Sequence, residues 1–383
     1  MYPTFSDLLH DLFGINIPLP IQTFGLVMAL SFMLAAYTLT LEIQRRERKG
    51  LLHLVTYTYV KGKPASIIEL LSAGIVGFLV GFKLIEAVFH YSELVNNPQE
   101  FILSSRGNFL GGIAIAIYTV WNKYKEKEKN KLPEPVTVTA TAWPHEMVMN
   151  IVIAAALGGL IGAKVFHNLE NIDDFLHDPV DALLSFSGLT FYGGLICGAA
   201  AVIWYAKRTL KIPALMMCDI AAPGLMLSYG TGRLGCHLSG DGDWGIVNTA
   251  PKPSWFPFPD WMWSFNYPHN VINEGEFIPG CIGKHCYELV PPVFPTPFYE
   301  AVVCILLFFV LWSIRKRITT AGVLFFIYLG LNGLERFSIE QIRINTKYHI
   351  VGHAITQAEI IAVISILLSI TGIFWLRNKK PHM

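Results

Sequence analysis

Thr231-Gly-Arg233-Leu-Gly235-Cys236-His237-Leu-Ser239-Gly-Asp241-Gly-Asp243-Trp244-Gly245 follows directly on an apolar run that begins near residue 213. A stretch able to cross a bilayer therefore ends in an arginine and then breaks into glycine, acid, histidine and thiol. Arginine at a bilayer edge is costly unless it meets an anionic partner. Guanidinium is also the side chain best matched to phosphate. The segment points to a site for a lipid phosphate where a span meets the membrane surface.

The rest of the chain is built to hold such a site in a membrane. Of 383 residues, 53% are hydrophobic and only 15% charged, against about 25% charged in soluble domains. Nine runs approach the length needed to cross a bilayer: 22–41, 67–90, 108–122, 146–167, 188–206, 213–232, 297–314, 320–337 and 356–376. Basic residues set the orientation. Arg45, Arg46, Arg48 and Lys49 follow the first run, and Lys123, Lys125, Lys127, Lys129 and Lys131 the third. Lys207, Arg208 and Lys211 follow the fifth, Arg315, Lys316 and Arg317 the seventh, and Arg377, Lys379 and Lys380 the last. Every second loop is basic and therefore cytoplasmic, whereas others are acidic or mixed (Asp173, Asp174, Asp178, Asp181). The expected fold is an all-α polytopic membrane protein of about nine transmembrane helices. Its N-terminus lies outside, its C-terminus is cytoplasmic, and it carries a loop-rich extracytoplasmic head. The first 20 residues do not read as a cleavable signal peptide. The net charge of +1 leaves no footprint for nucleic acid, and none is expected as a partner.

One internal repeat stands out. Gly77, Gly81, Lys83, Pro98 and Gly107 match Gly158, Gly162, Lys164, Pro179 and Gly188 at an offset of 81 residues, and Phe109, Gly111 and Gly112 match Phe191, Gly193 and Gly194 one residue later. Small residues are common at membrane helix contacts, but gap-free matches favour duplication of a helix pair. The chain divides into an N-terminal segment with the first span (1–66), the extra duplicated pair (67–122), a cytoplasmic linker (123–145), a membrane core (146–376) holding the head insert (235–297), and a tail (377–383). Ser254-Trp-Phe-Pro-Phe-Pro-Asp-Trp-Met-Trp263 in the insert cannot form a continuous helix, and its aromatics suit the headgroup layer. Of six cysteines, Cys197, Cys218 and Cys304 read as packing residues within spans. Cys281 and Cys286 lie outside the cytoplasm, where a disulfide can form.

The chemistry-bearing candidates gather at the outer face. Arg233 follows the sixth run and Arg336 ends the eighth; two guanidiniums converging on one phosphodiester would neutralise and orient it, although interfacial arginines also simply snorkel to headgroups. Arg336, Glu340 and Arg343 fall on one helical face, as a salt-bridge stripe or as a phosphate clamp with an orienting acid. Phe191-Tyr192-Gly193-Gly194 opens the fifth run, where free N–H groups favour anions and paired glycines allow close approach. Tyr192 could donate to a phosphate, or stand in the interfacial aromatic belt. Cys236-His237, with His285 and Asp241, raises a metal or a Cys–His nucleophile, but lacks the spacing of a zinc site.

In this order the pieces resemble the prolipoprotein diacylglyceryl transferase family, over roughly residues 15–45 and 145–376. The family signature Gly-Arg-x-Gly-Asn-Phe-x-Asn-x-Glu, closed by glycine, is similar to Gly232-Arg233-Leu-Gly235-Cys236-His237-Leu-Ser239-Gly-Asp241, closed by Gly245. Gly188-Leu-Thr-Phe-Tyr192-Gly-Gly-Leu, Pro295-Thr-Pro-Phe-Tyr299-Glu300 and the segment from Gly322 to Arg343 resemble three further motifs. Asp219, Pro223 and Gln357 also fall where the family has them. Cys236, His237, Ser239 and Asp241 depart from the signature, Asn332 and Phe24 replace tyrosines, and Phe294 replaces a histidine.

The resemblance implies an enzyme of the bacterial cytoplasmic membrane that works without metal or organic cofactor. It would move a diacylglyceryl group from phosphatidylglycerol to the lipobox cysteine thiol of a prolipoprotein signal peptide, releasing glycerol phosphate. Positive charge must meet the departing phosphate, a role expected of Arg233 and Arg336 with Arg343 behind them. The thiol must lose its proton, and His237, Tyr192 and Glu340 are the unranked acceptors. Gly193, Gly194, Gly235, Cys236, Ser239, Asp241, Gly245 and Asn332 are expected to line the substrates. A same-fold transferase with another acceptor and a non-catalytic lipid-binding protein are the alternatives.

Overall fold

The computed structural model describes residues 1–179, 190–350 and 353–378. Its helices are α1 (Phe5–Phe13), α2 (Thr23–Arg48), α3 (Ile67–Phe89), α4 (Tyr91–Asn96), α5 (Pro98–Leu103), α6 (Phe109–Lys129), α7 (Val148–Glu170), α8 (Ile172–His177), α9 (Phe191–Arg208), α10 (Ala214–Ser239), α11 (Thr296–Ile314), α12 (Val323–Glu340) and α13 (Gln357–Asn378). Five of them, α2, α3, α7 with the turn before it, α11 and α13, are each long and apolar enough to cross a membrane. Their outer faces are apolar and bare: Ile67, Ile68 and Leu71 of α3 and Leu157, Leu160 and Ile161 of α7 are each more than half exposed. Bare aliphatic surface on helices, whose backbone polar groups are paired internally, is what lipid tolerates and water does not. The chain is a helical, multi-pass membrane protein.

The chain is mostly helical, as expected. Among the described residues, three two-stranded antiparallel ribbons accompany the helices. The longest pairs β1 (Val55–Lys61) with β2 (Val136–Ala142), from Val55 opposite Ala142 to Lys61 opposite Val136. The expected linker is therefore structured: α6 carries its lysines on to Lys129, and Val136-Thr-Val-Thr-Ala-Thr-Ala pairs as a strand. Alternating β-branched residues fit a pleated ribbon, and Val55-Thr-Tyr-Thr-Tyr-Val supplies the complementary run.

The ribbon brackets α3 and α6, which pack on each other as α7 packs on α9. A Cβ at Gly81 would stand 2.5 Å from the carbonyl oxygen of Gly111, and a Cβ at Gly162 would stand 2.5 Å from that of Gly193. The Asn108 N–H donates to the Phe82 carbonyl (2.9 Å), and at the equivalent place the Thr190 N–H donates to that of Ala163 (3.1 Å). Within the first pair, Lys83 Nζ donates to the carbonyls of Phe101, Ser104 and Arg106 at 2.6–2.8 Å, closing the loop beyond α5. The repeat matches at Gly188, the acidic position Asp181, and Lys379 and Lys380 lie outside the described residues.

Helix α10 is the centre of the core. It buries Gly224 and Gly235 against α2 and Gly230 against α11, and α11, α12 and α13 follow around it. The bundle carries an ion cluster at each end of α10. Near its start, buried Glu42 of α2 pairs with Arg46 (3.0 Å), Arg45 and Arg315 (3.1 Å). Beside it Asp219 accepts the Gly322 and Phe325 N–H groups (2.7 and 2.8 Å), capping α12. The second cluster lies beyond the other end.

Two expectations about that end are corrected. The α10 helix does not break at Arg233; it runs on through Ser239 and stops only at Gly240, whose φ of 66° is the left-handed cap that glycine adopts without strain. The close fit of Gly232 and Gly235 to Met28 and Val27 of α2 holds the extra turns. Arg343 does not share the α12 helix with Arg336 and Glu340, because the helix ends at Glu340; a turn carries Arg343 back instead.

Candidate active site

Three chain segments knit the end of the core beyond the C-terminus of α10. Gly245 N–H donates to the Phe294 carbonyl (2.9 Å), Phe294 N–H to that of Ile246 (3.1 Å), and Ile246 N–H to that of Ile342 (2.8 Å). Gly245 and Arg343 form an antiparallel bridge. Thr296 Oγ1 donates to the Asp243 carbonyl (3.0 Å). The loop after α10, the start of α11 and the turn after α12 are thereby held in register. A side chain at Gly245 would collide with the Ile342 carbonyl, 2.5 Å from the Cβ position.

The consequence is a convergence of three guanidiniums on Glu300, whose side chain is fully buried. Arg233 Nε stands 3.1 Å from Oε2, Arg336 Nη1 3.0 Å from Oε1, and Arg343 Nη1 3.2 Å from Oε2. Tyr229 donates its hydroxyl to Oε1 at 3.0 Å, and its ring lies 5.4 Å from the Arg233 guanidinium. Around this centre, Asp243 bridges Arg233 and Arg343, 2.5 Å from the latter, and Glu340 pairs with Arg336 at 3.1 Å. Asn345 donates to the other oxygen of Glu340 at 2.6 Å. Arg343 Nε is buried without a hydrogen-bond partner. Three arginines thus face three carboxylates, and Asp243, at 36% side-chain exposure against 0% for Glu300 and Glu340, is the carboxylate nearest solvent. Burial alone would raise the Asp243 pKa; Arg233 and Arg343 overcome it and hold the carboxyl below its usual range. Asp241 has only distant arginines, and burial pushes its carboxyl up.

The residues singled out from sequence separate in space. Arg233, Arg336, Arg343 and Glu340 belong to the cluster. Cys236 lies at its edge, its sulfur 3.9 Å from Arg233 Nη1, hydrogen-bonded to Asp241. The donor atoms of Cys236, Asp241 and Asp243 lie within 4.8 Å of one another; these residues could hold a metal ion only if Asp243 left its two arginines. His237 points the other way. Its ring sits among Trp261, Phe265, Tyr267 and Phe298 with centroids 5.4–5.8 Å away, and its Nδ1 pairs with the Tyr267 hydroxyl at 3.1 Å. Ser239 spends its hydroxyl on the Gly235 carbonyl (2.8 Å). Gly235 faces α2, and half-buried Asn332 lies one turn before Arg336 on α12. Tyr192 packs edge-to-face on Phe191 (5.6 Å), while Gly193 and Gly194 lie against α7.

Four members of the site carried no role in the sequence reading: Glu300, Asp243, Tyr229 and Glu335. For Glu300 a signal existed. It is an acid within a run otherwise apolar from 297 to 314, and an ionisable residue inside a span marks function by default.

Residues 109–375 match the family model for prolipoprotein diacylglyceryl transferase. The chain belongs to this family. The match begins at α6, earlier than residue 145, where the resemblance of the core was expected to start, and does not include residues 15–45. Among relatives, a Corynebacterium efficiens protein named phosphatidylglycerol–prolipoprotein diacylglyceryl transferase is 30% identical over 227 residues, 58% of this chain and 66% of that protein. A Corynebacterium glutamicum protein of the same name is 30% identical over 205 residues, 52% and 60%. A Clostridium botulinum protein, again of that name, is 29% identical over 243 residues, 62% and 84%. The chain spans less than two thirds of the length of the corynebacterial relatives. Within the family match, the three-arginine cluster draws on segments more than 100 residues apart, from Arg233 to Arg343.

Proposed function

We propose that this chain transfers the diacylglyceryl group of phosphatidylglycerol to the thiol of a lipobox cysteine in a prolipoprotein signal peptide. The observation that carries the proposal is the convergence of Arg233, Arg336 and Arg343 at one end of the core. The thiol sulfur attacks the glyceryl carbon that bears the phosphate ester. The carbon–oxygen bond breaks, its electron pair leaves on glycerol phosphate, and a thioether remains. Charge grows on the leaving phosphate, so donors fixed beforehand lower the barrier more than mobile water does.

The three arginines are already paired with Glu300, Glu340 and Asp243, so a lipid phosphate must replace a carboxylate to be held. Asp243 is the replaceable one. It lies on a loop with two left-handed glycines, Gly240 and Gly242, and it occupies the space between Arg233 and Arg343 that an anion would take. In this reading Arg233 and Arg343 hold the phosphate directly, and Arg336, paired with Glu300 and Glu340, adds its positive charge beside them. Glu300, locked between all three arginines, aims their remaining N–H groups.

Around this site we place nine membrane crossings, an outside N-terminus, a cytoplasmic C-terminus, and a head on the outer surface of the bacterial cytoplasmic membrane. The alternation of basic loops supports this topology. So does the gathering of Arg45, Arg46 and Arg315 at the end opposite the site. The first helix pair, α3 and α6, is a duplicated scaffold pair, a reading supported by its glycine contacts. Two of the four departures from the family signature, His237 and Ser239, aim away from the arginines, which favours the family reaction over a changed acceptor.

The test is transfer from phosphatidylglycerol micelles to a lipobox peptide, alongside complementation of a bacterium depleted of its own transferase. Arg233→Ala and Arg336→Ala each abolish transfer. Near-normal turnover by both variants would remove the phosphate-clamp assignment, and binding of lipid without transfer by the wild-type chain would leave a lipid-binding protein.

A further inference from the structure

We propose that Glu335 takes the proton from the acceptor thiol, because it sets an unengaged carboxylate between the arginine cluster and an apolar groove open to the bilayer. The proposal rests on the transferase reading above and names the base that the reaction needs.

Among the described residues, the other carboxylates of the cluster and His237 are engaged. Glu300 is held by three guanidiniums and Tyr229. Glu340 is held by Arg336 and Asn345, and Asp243 by Arg233 and Arg343. His237 is boxed in by aromatic rings and bonded to Tyr267. Glu335 is different. It is 7% exposed, and neither carboxylate oxygen has a hydrogen-bond partner. Ion pairing of its neighbour Arg336 goes to Glu300 and Glu340 instead. An unbonded carboxylate inside a membrane protein is expensive, so its retention calls for a partner that comes and goes.

The partner arrives by the groove. Glu335 lines a groove of about 330 Å³ between α11 and α12, with Tyr299, Val303, Leu307, Leu331, Leu334 and Ile339. The lining is almost wholly apolar, and Leu334 is 54% exposed. A hydrophobic signal segment can lie along such a surface and bring its cysteine to the end where the arginines stand. There the S–H proton passes to a Glu335 oxygen, the sulfur lone pair forms the bond to the glyceryl carbon, and the ester oxygen departs with the phosphate to the arginines. Glu335 then returns the proton to the released phosphate or to water.

The charged and titratable groups that face Glu335 are Tyr229 and Arg233 from α10, Glu300 and Cys304 from α11, Arg336 on its own helix, and Arg343 beyond it.

The full chain is assayed in phosphatidylglycerol micelles with a lipobox peptide. Glu335→Gln keeps shape and removes basicity, and should lower kcat by about 10²-fold or more, within the range for a general base, with KM for lipid unchanged. Thermal stability should not fall, since no bond is lost. Glu335→Ala should regain turnover when formate is added, and the acid limb of the wild-type pH–rate profile should be missing from the residual Glu335→Gln rate. Wild-type turnover in Glu335→Gln, failure of that variant to fold, or no response of Glu335→Ala to formate would each overturn the proposal. If the wild-type chain itself makes no thioether, the transferase reading falls and takes this proposal with it; transfer that survives Glu335→Gln removes the proposal alone.

Discussion

Replacing Glu300 by glutamine deletes one charge from the centre of the arginine cluster and leaves its shape. Three guanidinium contacts at 3.0–3.2 Å are then uncompensated at a site with no solvent exposure. Each pair is worth about 4 kcal/mol at an effective dielectric of about 20 and 4 Å between charge centres. The gross sum is offset by the desolvation that the carboxylate no longer pays and by the hydrogen bonds the amide oxygen keeps. Breaking a buried pair from one side leaves a net loss of about 3–5 kcal/mol. With an unfolding entropy of about 2.1 cal/mol/K per residue, a chain of 383 residues should melt roughly 4–6 °C lower. The same deletion gives the cluster an excess positive charge, which an anionic lipid can neutralise. Melting of Glu300→Gln is therefore measured in neutral detergent, in zwitterionic lipid and in phosphatidylglycerol, against wild type. Phosphatidylglycerol should recover much of the loss, and zwitterionic lipid little. A deficit below about 1 °C in detergent, or equal recovery by both lipids, would refute the buried-network argument.

Asp243→Asn should bind lipid phosphate more tightly, because the displaced competitor has lost its charge; equilibrium binding to phosphatidylglycerol vesicles checks this. The variant also has a signature in acid. The Asp243 pKa is held below its unfolded value, so its contribution to stability is complete above the usual carboxylate range and disappears as pH falls through the lower folded value. Wild type should lose more stability on that limb than Asp243→Asn, as read by melting both from neutral pH downward. Gly81→Ala and Gly162→Ala should each cost about 1–3 kcal/mol by overpacking, measured by denaturant titration, since each Cβ meets a carbonyl of its partner helix at 2.5 Å. Cys281→Ser opens the disulfide to Cys286; it should lower head stability by about 2 kcal/mol, as expected for a short loop, and leave transfer turnover unchanged.

The long helices were legible because membrane burial writes a plain signal. Runs such as 297–314 and 356–376 have to be apolar along their whole length, and local composition reports this without knowledge of neighbours. The glycine spacing of the repeat was legible for a similar reason: Gly81 and Gly162 must each let a backbone approach, whatever surrounds the pair. Arg233 and Arg336 stood out because a guanidinium at a bilayer edge needs an explanation within a few residues of itself. The ribbon of β1 and β2 was harder to see, because its strands are separated by the whole first helix pair and each run is too short to announce a partner.

The composition of the chain by itself determined a bundle of membrane helices with arginines at one face, since hydropathy and charge act locally. It did not determine what those arginines touch. That Glu300 receives all three, that Asp243 fills the gap between two of them, that His237 turns into an aromatic box and that Glu335 is left unbonded depend on α10, α11 and α12 meeting at their ends. Side-chain direction at a helix terminus is set by the cap and by the neighbouring backbone. Here one residue of extra helix, or one turn after Glu340, decides which groups share a charge and which do not.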